Sequence, residues 1–128
     1  MTKTQKEAKE MNALVLAFLG DAVYSLKVKE FLVSENIAKA GALNRLATQF
    51  VRASSQAKVL DEIEQTLTED EQNVARRAKN VHTENVPKNS NLEEYKKATS
   101  LEAVVGFNFL CGNNARVDEI IKKAREIK

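Results

Sequence analysis

The chain has 128 residues, of which 43% are hydrophobic and 30% are charged, with one Pro, four Gly and no Trp. This length suits one domain with a single core, and we expect it to span residues 1–128. The composition favours an all-α fold over a β-sandwich. The one cysteine, Cys111, excludes an internal disulfide and a cysteine-based zinc site, which fits a reducing cytoplasm.

The distribution of charge is more informative than the net charge. A net charge of +2 is too small to indicate nucleic-acid binding by itself. Residues 59–71 contain six acids and no Lys or Arg, whereas residues 72–98 contain six bases and three acids. The first residues are charged and no apolar run reaches membrane-spanning length, so we expect neither a signal peptide nor a membrane span.

The first half of the chain predicts two long helices. One begins at an Asn12 N-cap and runs to about Ser34, and its apolar residues surround most of the helix axis. Such a helix is expected at the centre of a bundle. After a break over residues 34–41, apolar residues spaced by three and four predict one amphipathic helix from Leu43 to about Gln65.

The second half predicts three more helices and one long loop. A capping box at Thr68 opens a helix that turns basic toward Lys79. Residues 80–91 contain the only proline and read as a loop, of a length that is often functional in a small domain. A helix over residues 92–110 is apolar nearly all round from Leu101 onward, and a short helix follows over residues 117–124.

Two acids occupy unexpected positions in the two apolar helices. Asp21 follows Gly20, and Glu102 lies one turn before Gly106. Each glycine costs a helix interior about 1 kcal/mol relative to alanine, so we expect a close-packing or access reason for it. If the two helices pack together, Asp21 and Glu102 can face one another across a gap lined by small residues.

Two facing carboxylates repel, and a divalent cation would resolve that repulsion. Oxygen ligands with room for water suit Mg²⁺, with Mn²⁺ as a substitute, far better than Zn²⁺. The residues alone leave an alternative open, in which Asp21 caps a helix or pairs with a Lys or Arg and Glu102 points to solvent.

The motifs around these acids are similar to those of a known family. Residues 16–23, Leu-Ala-Phe-Leu-Gly-Asp-Ala-Val, resemble the signature helix of the ribonuclease III family, and residues 101–106, Leu-Glu-Ala-Val-Val-Gly, resemble its second catalytic helix. Residues 44–57, 76–80, 87–89 and 95–99 resemble one branch, Mini-ribonuclease III. The resemblance covers nearly the whole chain.

The resemblance implies a homodimeric helical endonuclease domain that lacks a separate double-stranded-RNA-binding domain. It also implies Mg²⁺-dependent cleavage of double-stranded RNA in the cytoplasm, in the maturation of bacterial large-subunit (23S) ribosomal RNA. It leaves open whether a ribosomal protein positions the RNA. Asp21 and Glu102 take the places of the two acids most directly tied to catalysis, and we expect both to bind the metal.

The chain departs from full ribonuclease III at three acidic positions, where it has Leu14, Ala17 and Thr99. Two carboxylates per site remain, so water or phosphate oxygens would complete the metal shell. These losses also motivate an alternative, a catalytically silent relative that binds double-stranded RNA. A plain helical interaction module is a third reading, but it leaves Asp21 and Glu102 unexplained.

The bases that bracket the long loop are candidates for phosphate contact, because double-stranded RNA is recognised mainly through phosphates and 2′-hydroxyls. Without the resemblance, a solvated charged face would be the preferred interpretation of this cluster. The RNA-binding candidates are Arg76, Arg77, Lys79, Lys88, Lys96 and Lys97.

Overall fold

The computed structural model describes residues 2–80 and 91–127, and all regular structure within these two ranges is helical. The predicted all-α fold is confirmed. None of the described helices is long and apolar enough to cross a membrane. The helices are α1 (Gln5–Lys9), α2 (Ala13–Ser34), α3 (Ala40–Val51), α4 (Ala53–Ile63), α5 (Glu69–Lys79), α6 (Leu92–Leu110) and α7 (Asn114–Glu126), with a 3₁₀ turn (Glu64–Thr66) between α4 and α5.

The predicted helix starts agree with the structure where a side chain caps the helix. The Asn12 side chain accepts a hydrogen bond from the Leu14 backbone N–H at 2.8 Å, and α2 begins at the next residue, Ala13. Thr68 and Glu71 form the predicted capping box at the start of α5. Both caps satisfy N–H groups that a helix end leaves without intrahelical partners.

The prediction of one helix from Leu43 to about Gln65 is wrong, because the chain turns at Arg52. That residue adopts an extended backbone conformation between α3 and α4. The Ser55 hydroxyl donates a hydrogen bond to the Gln49 carbonyl across the turn, so a local side-chain bond replaces helix continuation. The apolar spacing continues across the turn, which is why periodicity did not reveal it. Helix α1 was also not predicted.

The two central helices, α2 and α6, touch through their backbones at the paired glycines. A Cβ atom on Gly20 would lie 1.6 Å from the Glu102 carbonyl oxygen, and a Cβ atom on Gly106 would lie 2.0 Å from the Leu16 carbonyl oxygen. No side chain fits at either position. The expected close-packing reason for both glycines is therefore confirmed.

The expectation that α2 lies at the centre of the bundle is only half right. One side packs on α6 and carries buried residues such as Leu16 and Val23. The other side is exposed along an apolar stripe, called the α2 stripe here, and Phe18 is 82% exposed. An all-round apolar composition does not distinguish burial within one chain from burial against a second one. The α2 stripe consists of Leu14, Val15, Phe18, Leu26 and Val33.

A buried ion pair joins α5 to α6 and α7. The Glu71 side chain is 1% exposed and accepts hydrogen bonds from Arg116 Nε at 2.9 Å and from Asn108 Nδ2 at 2.8 Å. Burial raises the pKa of Glu71, but the hydrogen bonds from Arg116, the Thr68 backbone and Asn108 outweigh burial and lower it. This carboxylate is therefore ionised and fully partnered inside the fold.

Candidate active site

The glycine crossing brings the two predicted acids together. Asp21 follows Gly20 on α2, and the Gly20 backbone contacts the Glu102 backbone on α6. The two side chains are close enough for a hydrogen bond between Asp21 and Glu102 to raise the pKa of Glu102. Asp21 is exposed and Glu102 is half-buried. The pair thus has one carboxyl at the surface and one set into the helix interface.

The electrostatics of the pair oppose a second negative charge. Burial, then the charge of Asp21, then the hydrogen bond to Asp21 together raise the pKa of Glu102 to about 8. The neighbouring Gln56 side chain acts in the opposite direction and lowers it. At neutral pH Glu102 is therefore mainly protonated in the absence of a cation. A bound cation would favour the doubly ionised state.

Two buried donors beside this pair lack hydrogen-bond partners. The Tyr24 hydroxyl and the Gln56 Nε2 are inaccessible to solvent, and neither completes a hydrogen bond. Tyr24 lies one turn after Asp21 on α2, and burial and the negative Glu102 raise the pKa of its hydroxyl. The neighbourhood of Glu102 thus combines two carboxyl groups, whose oxygens fit a hydrated Mg²⁺ or Mn²⁺ ion, with unpaired hydrogen-bond donors that could bond a carboxylate.

Sequence reasoning placed Gln56 in a family motif but gave it no role at the site. The spacing of buried residues was the missed signal. Gln56 occupies the same face of α4 as Leu60 and Ile63, which are buried in the core. A glutamine at a core position of an amphipathic helix needs a polar neighbour. Here that neighbour is Glu102.

The three positions that lack family acids contribute no carboxylate. Leu14 is exposed, Ala17 is buried, and the Thr99 hydroxyl is bonded to the Tyr95 carbonyl at 3.0 Å. Among the described residues, no group of three or more His, Cys, Asp or Glu side chains could hold a metal ion. The described part of the site therefore has two carboxylates.

The predicted RNA-binding bases differ in whether they already form hydrogen bonds or ion pairs within the protein. Arg77 donates to the backbone carbonyls of Met11 and Lys9, which ties α5 to the connection between α1 and α2. Lys79 pairs with Glu93 at 3.1 Å.

The remaining candidates are Lys97, Arg76, Lys96 and Lys88. Lys97 pairs with Asp61 at 2.8 Å. Arg76 is exposed and Lys96 half-buried, and neither forms an ion pair with another described residue. Lys88, and with it residues 81–90 of the predicted loop, lies outside the described residues.

Comparison with known proteins identifies the family of this domain. The family model described as Ribonuclease III domain matches residues 14–113, which include both acids. A crystal structure of a protein from Fusobacterium nucleatum superimposes with a TM-score of 0.82 at 30% identity, over 91% of this chain and 93% of that one. The fold and the helix pair therefore define a ribonuclease III domain.

Curated relatives narrow the assignment to one branch. The Mini-ribonuclease 3 of Brevibacillus brevis is 40% identical over 88% of this chain and 84% of its own length. The Mini-ribonuclease 3 of Clostridium tetani is 36% identical over 93% of this chain and 80% of its own length. The chain belongs to the Mini-ribonuclease III branch of the ribonuclease III family, and it is an endoribonuclease of that family.

Proposed function

We propose that this chain cleaves double-stranded RNA with the help of a divalent cation held by Asp21 and Glu102. The observation that carries the proposal is the pair itself: two acids on different helices, brought together where Gly20 lets the helix backbones touch. The glycine at the crossing leaves no space for a side chain, and a carboxyl at an interface costs free energy unless it is partnered. A purely structural helix crossing needs neither acid.

Asp21 and Glu102 would hold Mg²⁺, with Mn²⁺ as a substitute. When bound there, the cation neutralises charge on the scissile phosphate and lowers the pKa of a water. The protein supplies two different groups to this chemistry. Asp21 is exposed, so a cation held by its carboxylate would be open to the RNA strand. Glu102 is half-buried, so its carboxyl lies in the helix interface rather than at the surface.

We further propose that the active form is a homodimer that pairs through the α2 stripe. The support is the exposed apolar surface on the helix that carries Asp21, with Phe18 one turn before it. A-form RNA has local two-fold axes that relate its strands. A two-fold symmetric dimer would therefore present one Asp21 and Glu102 pair to each strand.

We assign phosphate contacts to the bases on either side of and within residues 80–91. Arg76 and Lys96 lead this set because no described acid pairs with them, whereas Lys79 and Lys97 would have to exchange acidic partners for phosphate. Lys88 keeps its predicted role. Arg77 would act partly by holding the helix connection that its guanidinium binds. Bases that contact phosphates give a binding constant that falls steeply with salt.

The biological substrate we propose is a double-stranded stem of the 23S ribosomal RNA precursor, cleaved in the cytoplasm. The support is the resemblance to Mini-ribonuclease III over nearly the whole chain, including residues 44–57 and 76–80. We propose that a ribosomal protein presents this stem to the enzyme. Cleavage of a precursor transcript with and without bound ribosomal proteins tests both the substrate and the need for such a protein.

The function is tested with long double-stranded RNA incubated with wild type and Glu102→Gln, with Mg²⁺ and with a chelator. Cleavage by wild type only, and only with metal, is expected. Equal cleavage in the chelator, or by Glu102→Gln, would contradict the role of the pair. Glu126→Gln is the matched control, since Glu126 is an exposed acid at the end of α7.

A second candidate function is RNA binding without cleavage. The observation that favours it is that the described residues offer only two acids at the site, with Leu14, Ala17 and Thr99 where the family has more. This candidate predicts salt-dependent binding of double-stranded RNA and no metal-dependent product. The same assay distinguishes the two functions.

A further inference from the structure

Gln56 is an unexplained polar residue in the interior of the domain. Its side chain is 2% exposed, and its Nε2 is buried with no hydrogen-bond partner. An amide donor that is removed from water and left unpaired costs free energy, and most such groups in folded proteins are satisfied. An apolar residue of the same length would avoid this cost. The glutamine therefore calls for a role other than packing.

The fold directs this side chain at the acid pair. Gln56 lies in the first turn and a half of α4, on the side that packs against α6. Its amide lies beside the Glu102 carboxyl, but the contact falls short of a completed hydrogen bond. The Ser55 hydroxyl, bonded to the Gln49 carbonyl, anchors the start of α4 immediately beside it. The position of the amide is therefore set by backbone structure.

The identity of the residue suits a supporting role. Glutamine is neutral and carries two N–H donors, so it can bond a carboxylate without adding negative charge. A third acid at this point would repel Asp21 and Glu102 further. A Glu102 carboxylate that binds a cation is ionised, so one of its oxygens could accept a hydrogen bond from the unpaired Nε2.

We propose that Gln56 is a positioning residue of the active site, whose amide donates a hydrogen bond to the Glu102 carboxylate and orients it for the metal. This inference rests on the proposed function of the Asp21 and Glu102 pair. It also accounts for how a site with two carboxylates fixes the geometry of its metal, because a partner of a ligating carboxylate limits the orientations of that ligand.

The test replaces Gln56 with methionine, which has the same length and no hydrogen-bonding amide. Three quantities are measured at one pH: the thermal midpoint without metal, the affinity of the RNA-free protein for Mn²⁺ by electron paramagnetic resonance, and the rate of RNA cleavage. Gln65→Met is the matched control, since Gln65 is exposed in the 3₁₀ turn after the other end of α4.

We expect Gln56→Met to keep or raise the thermal midpoint while weakening Mn²⁺ binding and cleavage by about 10- to 100-fold, the usual effect of losing a partner of a metal ligand. Gln65→Met should match wild type in all three. A Gln56→Met variant with wild-type Mn²⁺ affinity would overturn the inference, whatever its thermal midpoint. Absence of cleavage by wild type would instead count against the proposed function, and the Mn²⁺ comparison would still decide the role of Gln56.

Discussion

Replacing Gly20 with alanine should destabilise the protein, although alanine is the better helix former. The new Cβ atom would lie 1.6 Å from the Glu102 carbonyl oxygen. To reach an ordinary contact distance of 3.4 Å, the backbones of α2 and α6 would have to separate by about 1.8 Å. No side-chain rotation can relieve this clash, because the Cβ atom is fixed directly to the backbone of α2 and the carbonyl belongs to the backbone of α6.

The size of the stability loss in Gly20→Ala follows from two opposing effects. Helix propensity favours alanine by about 1 kcal/mol. Overpacking a core costs about 1–3 kcal/mol and occasionally more, and the forced separation of two central helices belongs at the upper end of that range. We therefore expect a net loss of about 2 kcal/mol or more. For a domain of this size, that loss lowers the thermal midpoint by roughly 6–10 °C.

Gly41→Ala provides the matched control for this prediction. Gly41 also lies in a helix, and a Cβ atom there would meet nothing within 4 Å. That variant should be neutral or more stable by up to about 1 kcal/mol. Urea denaturation of both variants measures the change in the free energy of unfolding, which should fall for Gly20→Ala and stay level or rise for Gly41→Ala. A Gly20→Ala protein as stable as wild type, with unchanged cleavage, would refute the direct backbone contact.

Three further predictions test other parts of the structure. Arg116→Met leaves Glu71 buried without its ionic partner and should cost about 3–5 kcal/mol in urea denaturation; a loss below about 1 kcal/mol would contradict the buried pair. The pKa of Glu102 in the folded protein is about 8, above its ordinary value of 4.5, so without metal its contribution to stability is complete below pH 4.5 and is lost as pH rises to about 8. Glu102→Gln should therefore gain stability over wild type as the pH rises, and parallel pH profiles would count against the raised pKa. Phe18→Glu should convert a dimer to a folded monomer in sedimentation equilibrium, because a side chain that is 82% exposed contributes little to the monomer; an unchanged mass would place any interface elsewhere.

The sequence revealed those features of the fold that follow local rules. Asn12 and Thr68 predicted helix starts because capping depends on a few neighbouring residues. The glycines and acids of the two apolar helices predicted the crossing, since glycine in a helix interior needs a packing reason. The acid pair was predicted for the same reason: Asp21 and Glu102 each lie beside such a glycine.

Other features depend on contacts between distant residues and could not be read from local patterns. The turn at Arg52 leaves the apolar spacing of α3 and α4 intact, so periodicity alone predicted one helix. Arg77 looked like a surface base, yet its guanidinium binds carbonyls 66 and 68 residues earlier in the chain. The exposure of Phe18 depends on which side of α2 meets α6. The relation of Gln56 to Glu102 needs the packing of α4 on α6.

The central claim is that the pair of acids on α2 and α6 cleaves RNA. Single-turnover cleavage of an end-labelled RNA duplex with excess protein and Mg²⁺ tests it most directly, with duplex binding measured in the same samples for wild type and Asp21→Asn. Asp21 is exposed, so its replacement should leave folding intact. We predict that Asp21→Asn binds the duplex like wild type and yields no product. Cleavage by Asp21→Asn at a rate near that of wild type would contradict the account.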